Sequence, residues 1–278
     1  MTVKYNNNSL VDTYLKRLQL NREIPSYHYL EALVKHHLHS VPYETFSKFY
    51  YYQTAKNNAF VPSFETFVKN LEINGWGGNC YTLNINFKRL LEVLGFDVHL
   101  VLVSPGHIGL MVVIENRAFY VDVGYGSPIM KPIFIQNGVS LSRCGEEIVI
   151  KPASDRNRFV IDRKSNGKTF VSKTIVWEPV EEADFTNDIN ESHLDQDEND
   201  MMRRITAVIF KNRSTYYLRN TTLTIFAAKS RRMIEFNDEQ QWIQMIESTY
   251  GIQPQIVREA ADFLKERNIT LLSEKKNA

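Results

Sequence analysis

The chain has 278 residues, 43% apolar, 23% charged and 12% aromatic, with 33 Lys and Arg against 32 Asp and Glu for a formal charge of +1. That is enough chain for roughly two cored domains, and it excludes a disordered tract, a collagen-like repeat or a coiled coil. Near-neutral charge argues against a dedicated nucleic-acid binder, and the longest apolar run, Val98 to Val103, is far short of the ~20 residues that cross a bilayer.

Leu10, Val11, Tyr14, Leu15 and Leu18 recur at a 3.6-residue period before Asn21, and the spacing predicts a helix. A second carries Leu30, Leu33, Val34, His37 and Leu38 and ends before Val41-Pro42. Ser63 is placed to cap a third, with the stripe Phe64, Phe67, Val68 and Leu71. Leu83, Phe87, Leu90, Leu91 and Leu94 make a fourth, which Gly95 terminates in a left-handed conformation.

After Gly95 the pattern turns strand-like. Val98 to Val103, Ile108 to Ile114 and Ala118 to Val123 read as strands, joined by Ser104-Pro105-Gly106 and Glu115-Asn116-Arg117. Shorter strand signals follow near Ile148, Phe159 to Ile161 and Phe170 to Val176, while the acidic segment Glu181 to Asp200 reads as an exposed connection. Strands return at Thr206 to Phe210 and Tyr216 to Phe226. The end is helical through Trp242, Ile243, Ile246, Ile256, Ala260, Phe263 and Leu264. Helices, then antiparallel strands, then a mixed segment indicate an α+β fold rather than a doubly wound parallel sheet. Gly75-Trp76-Gly77-Gly78 does not match GxGxxG, which removes a dinucleotide-binding reading. The N-terminus has no basic stretch leading into an apolar core, so a soluble cytoplasmic protein is expected. The short basic clusters Lys229 to Arg232 and Lys275-Lys276 read as solvated faces.

The two cysteines, Cys80 and Cys144, have no CxxC partner, so neither a disulfide scaffold nor a structural zinc is expected. Adjacent glycines free the backbone ahead of Cys80, and Asn79 is an N-cap type, which puts Cys80 at the first helical position. A thiol there meets unsatisfied N–H groups and the positive end of the helix dipole, which favour thiolate and suit the oxyanion of a bound carbonyl. Cys144 reads as inert packing.

A nucleophilic thiol needs a base close in space. His36, His37 and His39 share a helix with His37 on its apolar stripe, so metal binding is the weaker reading there. His99 sits within a strand. His107 follows Pro105-Gly106 at the mouth of a hairpin, from which a side chain reaches an adjacent site. If Glu115-Asn116 is a two-residue loop, Ile114 pairs with Arg117 and Asp122 lies opposite Gly109. His107 and Asp122 are then same-face diagonal neighbours, about 7–8 Å apart at the backbone. A loop one residue longer puts them on opposite faces. Asp122 interrupts an apolar run, where a carboxylate is at an edge or paired. Thiolate, imidazole and orienting carboxylate form a triad suited to acyl transfer.

These residues resemble the arylamine N-acetyltransferases. Trp76-Gly77-Gly78-Asn79-Cys80 is similar to their Arg-Gly-Gly-x-Cys motif, and Tyr81-Thr82-Leu83-Asn84 follows it. His107-Ile108-Gly109-Leu110 and Asp122-Val123-Gly124-Tyr125-Gly126 look like the family's histidine and aspartate segments, as do Tyr14 to Arg17 and His39 to Glu44. The resemblance implies an N-terminal helical bundle over 1–95 carrying the nucleophile. An antiparallel β-barrel over 96–200 would carry His and Asp, and a C-terminal α/β lid would cover 201–278. It implies ping-pong acetyl transfer through a Cys80 thioester to an arylamine, hydrazine or N-hydroxyarylamine. Acetyl-CoA would be the donor substrate, with no permanently bound cofactor. Tyr125, Ser127, Ser104 and Gly106 fall where family members line substrate or CoA. Two departures stand out: Trp76 replaces the motif Arg, and Thr45 replaces a common Asn. A catalytically weakened CoA- or aromatic-binding relative and a cysteine hydrolase are the alternative readings.

Overall fold

The helical stripes become buried faces in the computed structural model, which describes residues 7–56, 59–228 and 230–272. Lys229, Lys275-Lys276 and the first six residues lie outside that range. Helix α1 (Asn7–Leu18) buries Leu10, Val11, Tyr14, Leu15 and Leu18. Helix α2 (Tyr27–Ser40) starts where Ser26 accepts from the Tyr29 N–H, and α4 (Phe64–Asn74) starts where Ser63 accepts from Thr66. Gly75 ends α4 at φ 71°, and a Cβ there would lie 1.9 Å from the Gly251 carbonyl oxygen. Helix α5 (Cys80–Val93) buries Leu83, Phe87, Leu90 and Leu91 and lies against two strands of the larger sheet. Each such side chain contributes about 1.5–3 kcal/mol by leaving water.

That sheet comprises β2 (Asp97–Ser104), β3 (His107–Ile114), β4 (Arg117–Val121), β5 (Val139–Arg143), β6 (Glu146–Pro152), β7 (Arg158–Ser165) and β8 (Lys168–Val180). Its order is β4-β3-β2-β8-β7-β6-β5, antiparallel throughout and curled as a half-barrel. Val101, Val103, Tyr120, Ile150, Ile161 and Ile175 fill a core on one face, while Val98, Leu100, Leu110 and Val112 join the core under α5.

The second sheet, ordered β1-β9-β10-β11-β12, contains β1 (Tyr43–Glu44), β9 (Thr206–Lys211), β10 (Ser214–Arg219), β11 (Thr222–Ala227) and β12 (Ser230–Glu235). Its core is completed by α3 (Phe46–Thr54), α7 (Glu239–Tyr250) and α8 (Pro254–Lys265), with Phe49 stacked on Phe263 at 4.4 Å. No described helix is long and apolar enough to cross a membrane.

Five segments differ from the sequence reading. Helix α3 was unread because Ser47 and Lys48 are buried beside Phe46 and Phe49, so no polar face marks its period. Edge strands β5 and β12 carry mostly exposed or half-buried residues, and their apolar patterns are short and weak. The stretch 216–226 is two strands, split at Asn220, whose φ is 52°. Residues 181–200 are not a simple exposed connection. They hold a helix, α6 (Thr186–Ser192), bury Phe185 and His193, and receive the Lys48 Nζ on the Ser192 carbonyl at 2.5 Å.

Candidate active site

Cys80 is the first residue of α5 and is half-buried. Asn79 caps the helix by accepting from the Thr82 N–H at 3.0 Å, and its carbonyl takes the Leu83 N–H. The Cys80 and Tyr81 N–H groups are then the first-turn donors that helix geometry leaves without an intrahelical partner. The preceding loop is fixed by close approach: a Cβ on Gly77 would sit 1.8 Å from the Pro42 carbonyl oxygen. Glu44 of β1 donates its N–H to the Gly78 carbonyl at 2.9 Å.

The base arrives on the β3–β4 hairpin. Glu115 and Asn116 take φ of 50° and 61°, as a tight two-residue turn requires, and Ile114 pairs with Arg117. This register brings His107 and Asp122 together: His107 Nε2 lies 2.7 Å from Asp122 Oδ2, with the residues 3% and 1% exposed. The other carboxylate contacts are all donors. Tyr120 OH gives to Oδ2 at 2.7 Å, while Asn84 Nδ2 and the Gly124 N–H give to Oδ1 at 3.0 and 2.9 Å. Asn84 lies one turn beyond Cys80 on α5, and its Oδ1 accepts from the Val123 N–H at 3.1 Å. One helix thus carries both the thiol and the amide that ties down the aspartate loop. That loop passes so close that a Cβ on Gly124 would be 2.8 Å from Cys80 Cα.

With Nε2 committed to Asp122, Nδ1 is the ring nitrogen left to serve the Cys80 thiol, whose charge acts on the imidazole. Burial alone would lower the His107 pKa. The Asp122 carboxylate and the thiol outweigh it and push the value up to about 9. Burial works the opposite way on Asp122, and the facing imidazolium with the donated hydrogen bonds holds it below the usual carboxylate range. A second cation lies near. Lys48, 4% exposed, is brought down to about 8 by burial, against the opposing influence of the Cys80 charge.

Tyr125 stacks on His107 with ring centroids 4.5 Å apart at 25°. Ser127 is buried, and its Oγ and the Tyr125 hydroxyl have no hydrogen-bond partner among the described residues. Ser104 and Gly106 sit exposed in the β2–β3 turn, whose Pro105 carbonyl accepts from the Lys173 ammonium. Lys173 interacts electrostatically with both Cys80 and Asp122, which puts the turn on the triad's side.

The two departures have local solutions. Trp76 is buried, with its ring 4.8 Å from Tyr50 and 5.8 Å from Tyr51. Glu44 of the neighbouring strand accepts from the Ser47 N–H at 2.8 Å and from Ser47 Oγ, and burial raises it to about 7. Thr45 bridges to β9, accepting from the Thr206 N–H at 3.0 Å.

Asn84, Tyr120, Lys48 and Glu44 were not singled out as site residues from sequence. Asn84 is four positions from Cys80 on one helix, and Tyr120 is two before Asp122 at the end of β4, so periodicity alone places each beside its partner. Lys48 and Glu44 carry no such signal. Among the described residues no His, Cys, Asp and Glu side chains converge as a metal ligand set.

Fold and site together describe an α+β protein with a half-buried cysteine at a helix N-terminus, facing a His–Asp pair on a curled sheet. The sequence model of the N-acetyltransferase family matches residues 27–258, and the chain belongs to that family, the arylamine N-acetyltransferases. A proansamycin X synthase of Amycolatopsis mediterranei is 27% identical over 183 residues, covering 60% of this chain and 69% of that protein. An arylamine N-acetyltransferase of Mycobacterium smegmatis has the same fold, with TM-score 0.78 at 20% identity over 94% of this chain and 98% of the other. So does that of Mycobacterium marinum in complex with CoA, with TM-score 0.78 at 16% identity over 92% and 97%.

Proposed function

We propose that this chain is an acetyl-CoA-dependent arylamine N-acetyltransferase using Cys80, His107 and Asp122. The observation that carries the reading is the His107–Asp122 bond at 2.7 Å, with the half-buried Cys80 at the start of α5 close enough for its charge to act on the imidazole. The imidazolium and the helix terminus favour a Cys80 thiolate. The thiolate attacks the acetyl carbonyl, and the oxyanion faces the Cys80 and Tyr81 N–H groups. Collapse breaks the bond to the CoA sulfur, which takes a proton from His107 and leaves. Neutral His107 then accepts the proton of an arylamine, hydrazine or N-hydroxyarylamine nitrogen as it attacks the thioester. The new amide forms and the thiolate is released. Asp122 keeps the imidazole in one tautomer throughout. Tyr125 and Ser127 line the acceptor side, and Ser104 and Gly106 contact ligand.

Steady-state kinetics with acetyl-CoA and a panel of arylamines and hydrazines test this. Parallel reciprocal plots, CoA release equal to amide formation and no turnover by Cys80→Ala are expected. CoA release without amide formation would identify a hydrolase, and tight CoA binding without release a disabled relative.

A further inference from the structure

Beyond the triad, a buried ion pair on the far side of Tyr125 bears on His107. Arg163 of β7 and Glu146 of β6 form a forked pair at 2.6 and 2.9 Å, with side chains 15% and 12% exposed. The same guanidinium donates to two consecutive carbonyls of the aspartate loop, Tyr125 at 2.8 Å and Gly126 at 3.0 Å. It also lies 4.9 Å from the centre of the Tyr125 ring and 5.3 Å from that of Phe170. Every face of Arg163 is therefore engaged, and three of its contacts fall on one residue and its neighbour. Among the described residues the Tyr125 hydroxyl has no partner to orient it, so the ring plane is set by Arg163 and by the stack on His107.

We propose that Arg163, held by Glu146, is a positioning residue for His107: it fixes the Tyr125 backbone and ring, and Tyr125 holds the imidazole plane toward Cys80. The inference rests on the triad reading. A planar fork that binds a carboxylate and stacks on a ring has no equivalent in lysine, whose ammonium is a point charge. The imidazole already has one fixed point, Nε2 on Asp122, about which the ring is free to swing. The Tyr125 face supplies the second constraint. Reaction geometry is sensitive at this scale, since a misplacement of about 1 Å costs up to about 10²-fold in rate.

The test uses Arg163→Lys, Arg163→Met and Glu146→Gln in the full chain, with two readouts. One is the rate of Cys80 acetylation by acetyl-CoA. The other is the pH profile of Cys80 alkylation by iodoacetamide, which needs no acyl donor. In wild type the imidazolium beside Cys80 is expected to support alkylation, so the profile should follow the protonation of His107. In all three variants the profile is expected to depart from that of wild type. Acetylation at pH 7 is expected to slow by about tenfold or more, least in Glu146→Gln, which keeps the Arg163 contacts to the loop. Wild-type rates and an unmoved profile in Arg163→Met would overturn the proposal. So would slower acetylation with an unmoved profile and a lowered Tm, which is the mark of a purely structural pair. A wild type that alkylates as described yet takes no acetyl from acetyl-CoA would sink the transferase reading and leave this one standing.

Discussion

Asp122→Asn is the sharpest perturbation of the site because it keeps the side chain's shape and changes only charge and donor count. All four partners of the carboxylate, His107, Tyr120, Asn84 and Gly124, are donors. An amide offers one oxygen and two N–H groups. With its oxygen toward His107 and Tyr120, its nitrogen opposes the Asn84 amide and the Gly124 N–H; flipped, it opposes the imidazole and the phenol. In the first arrangement two buried donors go unsatisfied, at about 1–3 kcal/mol each; in the second the imidazole must change tautomer. His107 also loses the charge that lifts it from 6.5 to about 9. That lift corresponds to about 3 kcal/mol in favour of imidazolium, at about 1.4 kcal/mol per pH unit. In the flipped arrangement Nε2 must accept, the ring proton moves to Nδ1, and no lone pair faces the thiol. The expected result is a fall of about 10³–10⁴-fold in Cys80 acetylation, the scale of an Asp→Asn change in a serine-protease triad. Rapid quench with intact-mass detection measures it, and circular dichroism checks the fold. A folded Asp122→Asn protein acetylating within about tenfold of wild type at pH 7 would refute the role given to Asp122.

The raised His107 pKa also predicts a pH-dependent stability. Its contribution is full below 6.5 and is lost as pH rises through about 9. The Tm advantage of wild type over His107→Gln should therefore shrink between pH 6.5 and 9.5, and a constant gap contradicts the coupling. The depressed Asp122 pKa acts at the other end, its contribution being present above 3.8 and lost as pH falls below that. Gly124→Ala would drive a methyl against Cys80 Cα and Asn84 Nδ2, at 2.8 and 2.7 Å. Both Tm and acetylation should fall, by about 1–3 kcal/mol in stability from overpacking. Trp76→Arg should cost about 2–4 kcal/mol by urea titration, through the lost ring and a buried charge, without raising acetylation, because Glu44 is already satisfied. A faster enzyme would contradict this. In native protein a disulfide reagent should label Cys80 quickly and Cys144 only on unfolding, since burial raises the Cys144 thiol and it is 5% exposed. Rapid labelling of both thiols would contradict that.

The site was legible where local rules place residues and illegible where only tertiary packing does. The two-residue Glu115-Asn116 turn fixes the register, and the register puts His107 and Asp122 on one face; both steps are local. The Asn79 cap likewise places Cys80. Arg163 and Glu146, by contrast, reach the aspartate loop across the strand order β4-β3-β2-β8-β7-β6, a path no spacing reveals. The fold follows the same division. Helices with a clean apolar stripe, such as the one through Leu10, Tyr14 and Leu18, declare themselves. Helix α3 does not, because burying Lys48 and Ser47 erases the polar face on which a periodicity argument depends.

Mixing the protein with acetyl-CoA alone, with no acceptor amine present, and weighing it intact isolates the covalent step. The geometry at the start of α5 predicts one acetyl group per chain, mapped to Cys80, removed on adding an arylamine and absent from Cys80→Ala. A chain that stays unlabelled, or carries its acetyl group on any other residue, would contradict it.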